Sequence, residues 1–290
     1  MTPTRWLPSF LARLSATTLI CALPLGAHAQ DDSLQAIQAQ GKMRVAIANE
    51  IPYGYTDLSG DAKGVGPDVA RAVLAKLGVE DIQWMPTAFS SLIPGLQARH
   101  FDMVAAEMAV MPLRCKQVLF SEPNSSYGEG LLVPEGNPAD IHSYQHFVET
   151  DDKIAIMAGA DQLDILNALG VPQERMVTIA NNADAISTVN TGRAAAYAAT
   201  GATVAQLAEL GQRVEPAQSF KDPVIDGEPV RSWGAFAFHP DSQALASAFN
   251  QALLEFRDTK EWREILARYG FSEQDMKQAA AKTQATLCAE

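Results

Sequence analysis

Short apolar runs alternate with amphipathic stretches along most of the chain. Residues 34–40 have helical character, and residues 43–48 (MRVAIA) form a short β-rich run. Residues 64–68 (GVGPD) open a helix: Pro67 suits a first turn, and Val69, Val73, Leu74 and Leu77 make one apolar face. Residues 80–86 predict a strand, the segment with Leu92, Ile93 and Leu96 a helix, and residues 101–106 (FDMVAA) the next strand. Such a βαβαβ run implies a parallel sheet with helices on both faces.

A polar, turn-rich stretch at 121–127 then predicts a crossover, followed by a β run (GLLVP). A second α/β unit begins with a strand at 153–157, a turn, and a helix at 161–169 ending at Gly170. Strand 176–179, helix 182–190 and an alanine-rich strand at 194–199 follow. Residues 230–238 predict a second crossover, and two helices at 242–257 and 260–268 close the chain at Tyr269-Gly270. A chain that leaves one α/β lobe, builds a second and returns makes a two-lobed clamp. The expected fold is thus α/β, with two mixed or parallel sheets, flanking helices and a hinge. Lobe I takes 30–126 and 230–290, and lobe II takes 127–229. Ligands of such folds sit in the cleft, near the carboxyl ends of strands.

The first residues break this pattern. Arg5 and Arg13 precede an apolar stretch at about 14–26 and the small-x-small sequence Ala27-His28-Ala29. This is the form of a secretory signal peptide covering 1–29, with Gln30 the first mature residue. The apolar run is shorter than the roughly 20 residues a membrane span needs. Ile20 before Cys21 departs from a lipoprotein signal. The expected location is therefore the periplasm. The formal net charge is -12, and removal of Arg5 and Arg13 makes it more negative still. That balance argues against nucleic acid and anionic lipid as partners, since both need a basic footprint. Two cysteines outlast processing, Cys115 and Cys288. They are either a disulfide tying the tail to the middle of the chain or two separate buried thiols. An oxidising compartment favours the disulfide.

Catalytic and metal signatures are missing from the sequence: it holds no HExxH, GxSxG, P-loop or GxGxxG. His142 and His146 could share a helix face, but without a third ligand they read as a solvated pair. No cofactor, metal or catalytic set is expected.

The order of motifs resembles the family 3 solute-binding proteins of ABC importers. The matching pieces are MRVAIANEIPYGY (43–55), KGVGPDVARAVLAKLG (63–78), LIPGLQARHFDMVAAEMAVMPLRCKQVLFSEP (92–123), IAIMAG (154–159) and WREILARYGF (262–271). Within that family, NEIPY (49–53), RC (114–115) and the terminal LC (287–288) are similar to ectoine and hydroxyectoine binders, and the paired cysteines fit that group. The resemblance implies a type II periplasmic binding fold and a monomer that delivers a small zwitterionic solute to an inner-membrane permease.

It also implies a ligand set. Arg114, in Met111-Pro-Leu-Arg, matches the arginine that holds the ligand carboxylate, and a guanidinium can grip a carboxylate through two bonds. Thr200 stands where amino-acid binders place an Asp for the α-ammonium, so the positive end of the ligand must be met elsewhere. Glu50, Tyr53 and Phe89 match a carboxylate and two aromatics of the ectoine box, while Ala109 replaces its third ring. Aromatic faces attract cations. Glu107 stands where that group has a small residue, and is expected either to meet a larger or more cationic ligand or to pair with Arg114. The turn Gly159-Ala-Asp161-Gln162 opens a helix whose backbone N–H groups could take a carboxylate, although Asp161 could equally cap its own helix. The competing expectations are a polar or basic amino acid as ligand, or an enzyme resembling cyclohexadienyl dehydratase.

Overall fold

The computed structural model describes residues 33–289, together with Met1, Thr2 and Thr4. Apart from those three residues, the expected signal peptide at 1–29 lies outside the described residues.

Two sheets organise the remainder. The first runs in the order Asp81–Pro86, Lys42–Ile47, Met103–Ala109, Ser232–Phe238 and Leu119–Phe120, and Ser125–Tyr127 also pairs with Ser232–Phe238. Its first three strands are parallel, as the βαβαβ pattern predicts. Ser232–Phe238 is antiparallel to Met103–Ala109 and lies inside the sheet. The second sheet repeats this plan as Met176–Ile179, Ile154–Met157, Ala196–Thr200, Glu129–Pro134 and Val214–Pro216. Here Glu129–Pro134 is the antiparallel insertion.

Local sequence explains most elements. In helix Val65–Lys76, Val65, Val69, Ala70, Val73 and Leu74 are all buried, so the apolar stripe at helical spacing faces the first sheet. Helix Gly201–Leu210 begins where Thr200 accepts a hydrogen bond from the Thr203 N–H, a side-chain N-cap. Helix Lys260–Arg268 starts the same way at Thr259.

The structure corrects the sequence reading at three places. Residues 201–229, left without elements, hold helix Gly201–Leu210, strand Val214–Pro216 and a small hairpin, Val224–Ile225 with Glu228–Pro229. The stretch at 230–238 is more than a crossover, because Ser232–Phe238 is a sheet strand buried almost throughout. Nor does the chain close at Gly270: helices Glu273–Ala281 and Gln284–Ala289 follow. Their helical faces are short and largely polar. Their placement comes from tertiary bonds, including Trp233 Nε1 donating to Gln278 O (2.9 Å) and the Arg231–Asp275 ion pair.

One glycine is required by close packing. A Cβ on Gly234 would lie 2.6 Å from Ser125 Oγ and 2.9 Å from both Cβ and O of Glu107. Two of these three neighbours are fixed by the sheet. Gly234→Ala is therefore expected to destabilise the protein by about 1–3 kcal/mol. A denaturant midpoint equal to that of the parent would refute this.

Candidate functional site

The carboxyl ends of the two parallel strand sets face each other. Between them lies an enclosed cavity lined by Glu50, Tyr53, Phe89, Glu107, Asp161 and Thr200, together with Tyr127, Met157, Gln162 and Tyr197. Six of the eight residues expected as ligand contacts thus share one space. Arg114 and Gly159 do not line it. They meet at its edge, where Arg114 Nη2 donates to Gly159 O (3.0 Å) and Nη1 to Ala109 O (2.9 Å). The guanidinium also lies 5.6 Å from the centre of the Phe89 ring. Larger hollows exist elsewhere. One of about 470 Å³ lies beside His142 and His146, but each histidine is taken by its own aspartate, Asp140 and Asp152.

Five polar contacts cross between the two strand systems among the described residues, one of them from the Thr203 hydroxyl to Ile51 O (3.1 Å). Tyr53 donates to Thr200 Oγ1 (2.7 Å), the Thr203 hydroxyl lies 3.0 Å from Glu50 Oε1, Ser232 donates to Asp161 Oδ2 (2.8 Å), and Arg114 reaches Gly159. Gly159, at φ 83, allows this approach, because a Cβ there would sit 2.9 Å from Ser90 Cα. This is a closed clamp. The space left is about 20 Å³, room for about one water. A solute can enter only after these contacts open, and must offer replacements for them.

The acidic residues set the electrostatics. Burial pushes the Glu50 carboxyl up to about 7. Thr203 offsets part of that rise. Asn182 Nδ2 faces the same carboxyl and also lowers it, but makes no well-formed hydrogen bond. Burial likewise takes Glu107 to about 7, against the bonds from Ser125 (2.5 Å) and Asn124 (2.8 Å). Glu107 does not pair with Arg114: its two oxygens are engaged by the segment that follows Phe120. Its backbone sits at φ 48, an uncommon conformation for a residue with a side chain. The Tyr127 hydroxyl fixes that conformation by donating to Glu107 O (2.9 Å).

Asp161 stands at the start of helix Gln162–Leu169 but caps nothing, because its carboxylate turns to Ser232. Sequence reasoning missed a third buried glutamate, Glu129, pushed up to about 8 by burial and by the nearby Asp161 charge. It accepts from Gln162 Nε2 (2.7 Å) and Tyr144 Oη (2.9 Å), and so orients Gln162 at the cavity wall. The available signal was a lone carboxylate opening an apolar strand, EGLLVP. None of Glu50, Glu107 and Glu129 forms an ion pair among the described residues. Tyr53, Tyr127 and Tyr197 are held neutral, because burial raises each of their hydroxyls.

The aromatic faces are less free than the sequence suggests. Tyr53 packs on Tyr127 (5.1 Å) and on Phe271 (6.0 Å), and Phe89 already meets Arg114. Acceptor oxygens therefore dominate the wall. The arrangement suits a cation among carboxyls, with a guanidinium at the rim for an anion.

Residues 43–273 match the bacterial extracellular solute-binding proteins, family 3. The chain belongs to that family. A probable amino-acid ABC transporter periplasmic-binding protein of Sinorhizobium fredii is 53% identical over 98% of this chain and 95% of its own length. EhuB in complex with hydroxyectoine superposes with a TM-score of 0.80 at 28% identity, covering 89% of this chain and 98% of that one. An ancestral amino acid-binding protein, a precursor of cyclohexadienyl dehydratase, gives 0.72 at 26% identity, over 83% of this chain and 100% of that one. The two-lobed type II periplasmic binding fold is common to this family member and its structural neighbours, and the expected disulfide is formed between Cys115 and Cys288.

Proposed function

We propose that this family member is the periplasmic solute-binding component of an ABC importer. It captures a small zwitterion of the ectoine or hydroxyectoine type and hands it to the membrane permease. A cleaved leader at 1–29 directs export. The protein works as a monomer, without a cofactor, and releases its ligand unchanged. One observation carries the reading: a closed interlobe cavity has buried, unpaired carboxyls on its wall and one guanidinium at its rim. Arg114 takes the solute carboxylate in exchange for the Gly159 carbonyl. Glu50, Glu107 and Asp161 take the cationic end, with Tyr53 and Phe89 packing on its carbon frame and Thr200 contributing a neutral oxygen. The name of the Sinorhizobium relative supports the importer role, with an amino acid as cargo, and the hydroxyectoine bound to the structural neighbour supports the ectoine-type ligand.

A second reading is supported by the number of acids around the cavity. Buried carboxyls in excess of the single arginine suit a polar or basic amino acid, whose side chain adds hydrogen-bond donors or positive charge. Calorimetric titration separates the two. Ectoine and hydroxyectoine are expected to bind saturably at micromolar or lower concentrations, and to be recovered intact. Heat with arginine or glutamine but not with ectoine moves the assignment to amino acids. Silence with every zwitterion removes the transport reading altogether.

A further inference from the structure

The residue after Arg114 is Cys115, bonded to Cys288 four residues beyond Gln284, near the end of the tail. This places a covalent link beside the guanidinium. The turn carrying both is a single four-residue helix, Pro112–Cys115. One turn does not hold its own shape in water. Within the turn Leu113 is 62% exposed, so the turn's apolar hold comes from the half-cystine and from Val110 and Val118 on either side. Beyond a 3.4 Å bond from Gln97 Nε2 to Gln117 O just after the turn, its strongest side-chain fastening to the rest of the lobe is the disulfide, since Gln117 Nε2 only bonds back onto Leu113 O.

The tail at the other end of that link is well secured. Leu287 is buried in the same apolar cluster that contains Met108, Val110 and Val118 and carries Phe89 and both half-cystines at its edge. The Gln284 N–H donates to Glu122 Oε2 (2.8 Å), and the Trp233 indole donates to Gln278 O (2.9 Å). Glu122 and Trp233 lie on either flank of the segment that supplies Asn124 and Ser125 to Glu107. The last two helices thus form a strap across the outer side of the cavity wall and end on the arginine turn.

We infer that the C-terminal strap and its disulfide are a positioning device for Arg114, fixing the guanidinium at the cleft rim for the solute carboxylate. This rests on the assignment of Arg114 to the carboxylate made above. A preorganised donor loses less freedom on binding than one free to swing away, so the strap contributes to affinity and not only to stability.

The test is calorimetry on the full mature chain with a carboxylate zwitterion that the parent binds, comparing parent, C115A/C288A, R114A and the combined variant well below their melting temperatures. C115A/C288A is expected to stay folded by circular dichroism, to melt earlier, and to bind about tenfold more weakly. In the R114A background, removing the disulfide is expected to have no further effect on affinity. If C115A/C288A binds like the parent, or weakens R114A by the same factor, the strap is structural only and the inference fails. If R114A itself binds like the parent, the carboxylate assignment fails instead. Should C115A/C288A not fold, Leu287→Ala with the disulfide intact replaces it. This variant loosens the strap's anchor, and unchanged affinity there also overturns the inference.

Discussion

Arg114→Ala is expected to weaken zwitterion binding by about 100-fold or more, because removing one partner of a desolvated charge pair costs about 2–5 kcal/mol. The reason lies in what remains. Without the guanidinium, a solute carboxylate would close into a wall that already holds Glu50, Glu107 and Asp161, and no described arginine or lysine stands ready to replace it there. Arg114→Lys keeps the charge but loses the planar fork that now spans Ala109 O and Gly159 O. It should recover only part of the loss. The empty protein should lose about 1–3 kcal/mol, since Arg114 is buried and the Ala109 carbonyl is left without its donor. Titration of both variants against the same solute checks this, and near-parent affinity for Arg114→Ala would contradict it.

The second large effect is a pH dependence. Glu50 and Glu107 titrate near 7 in the closed form, against an ordinary value of 4.5. Below both values native and unfolded chains hold the same protons. Between them the unfolded chain gives its protons up while the closed form keeps them. Stability of the empty protein therefore falls as pH rises from about 4.5 to 7, and Glu129, pushed up to about 8, carries the fall on to about 8 before it levels off. Each shift corresponds to about 3 kcal/mol as an upper figure, so Glu107→Gln should raise the melting temperature at pH 8 and leave it nearly unchanged at pH 5. Binding runs the other way. A cationic solute favours the ionised carboxyls, so affinity should rise from pH 5.5 to 8 with release of protons. Calorimetry in buffers of different ionisation heat reads that release directly. A pH-independent affinity, or a melting temperature that climbs with pH across this window, would count against both carboxyls as the cation's partners.

The electrostatics also bear on the choice of solute. The resemblance to ectoine binders implies a box of ring faces, but here Tyr53 meets Tyr127 at a tilt and Phe271 edge-on, and Phe89 is occupied by Arg114. In the proposed function the cation would then be met mainly by acceptor oxygens: Glu50, Glu107, Asp161 and the Gln162 amide that Glu129 orients. Such a wall favours a cation that still carries N–H donors. Closure and recognition are also linked in the same side chains, because Tyr53–Thr200 and Ser232–Asp161 bridge the lobes at the cavity itself.

Local pattern alone determined much of this protein. The strands around Val45 and Ile156 were legible as short apolar, β-rich runs between turn signals, and the helix carrying Val69 and Val73 because it satisfies its own backbone and shows one periodic apolar face. Arg114 and Glu50 became candidates through the resemblance of the short motifs that carry them, and the structure places Glu50 on the cavity wall and Arg114 at its edge. Tertiary structure decided the rest. Ser232–Phe238 is a strand because three partners 100 residues and more away supply its bonds, and the tail helices are held by Trp233, Glu122 and Cys115 rather than by faces of their own. Glu107 is engaged by Asn124 and Ser125 instead of Arg114, because its left-handed backbone at φ 48 accompanies a side chain bonded to the following segment. Glu129 became visible only once the fold had removed it from water. A carboxyl's charge, and so its use in a cleft, depends on what surrounds it in space, and sequence order does not record that.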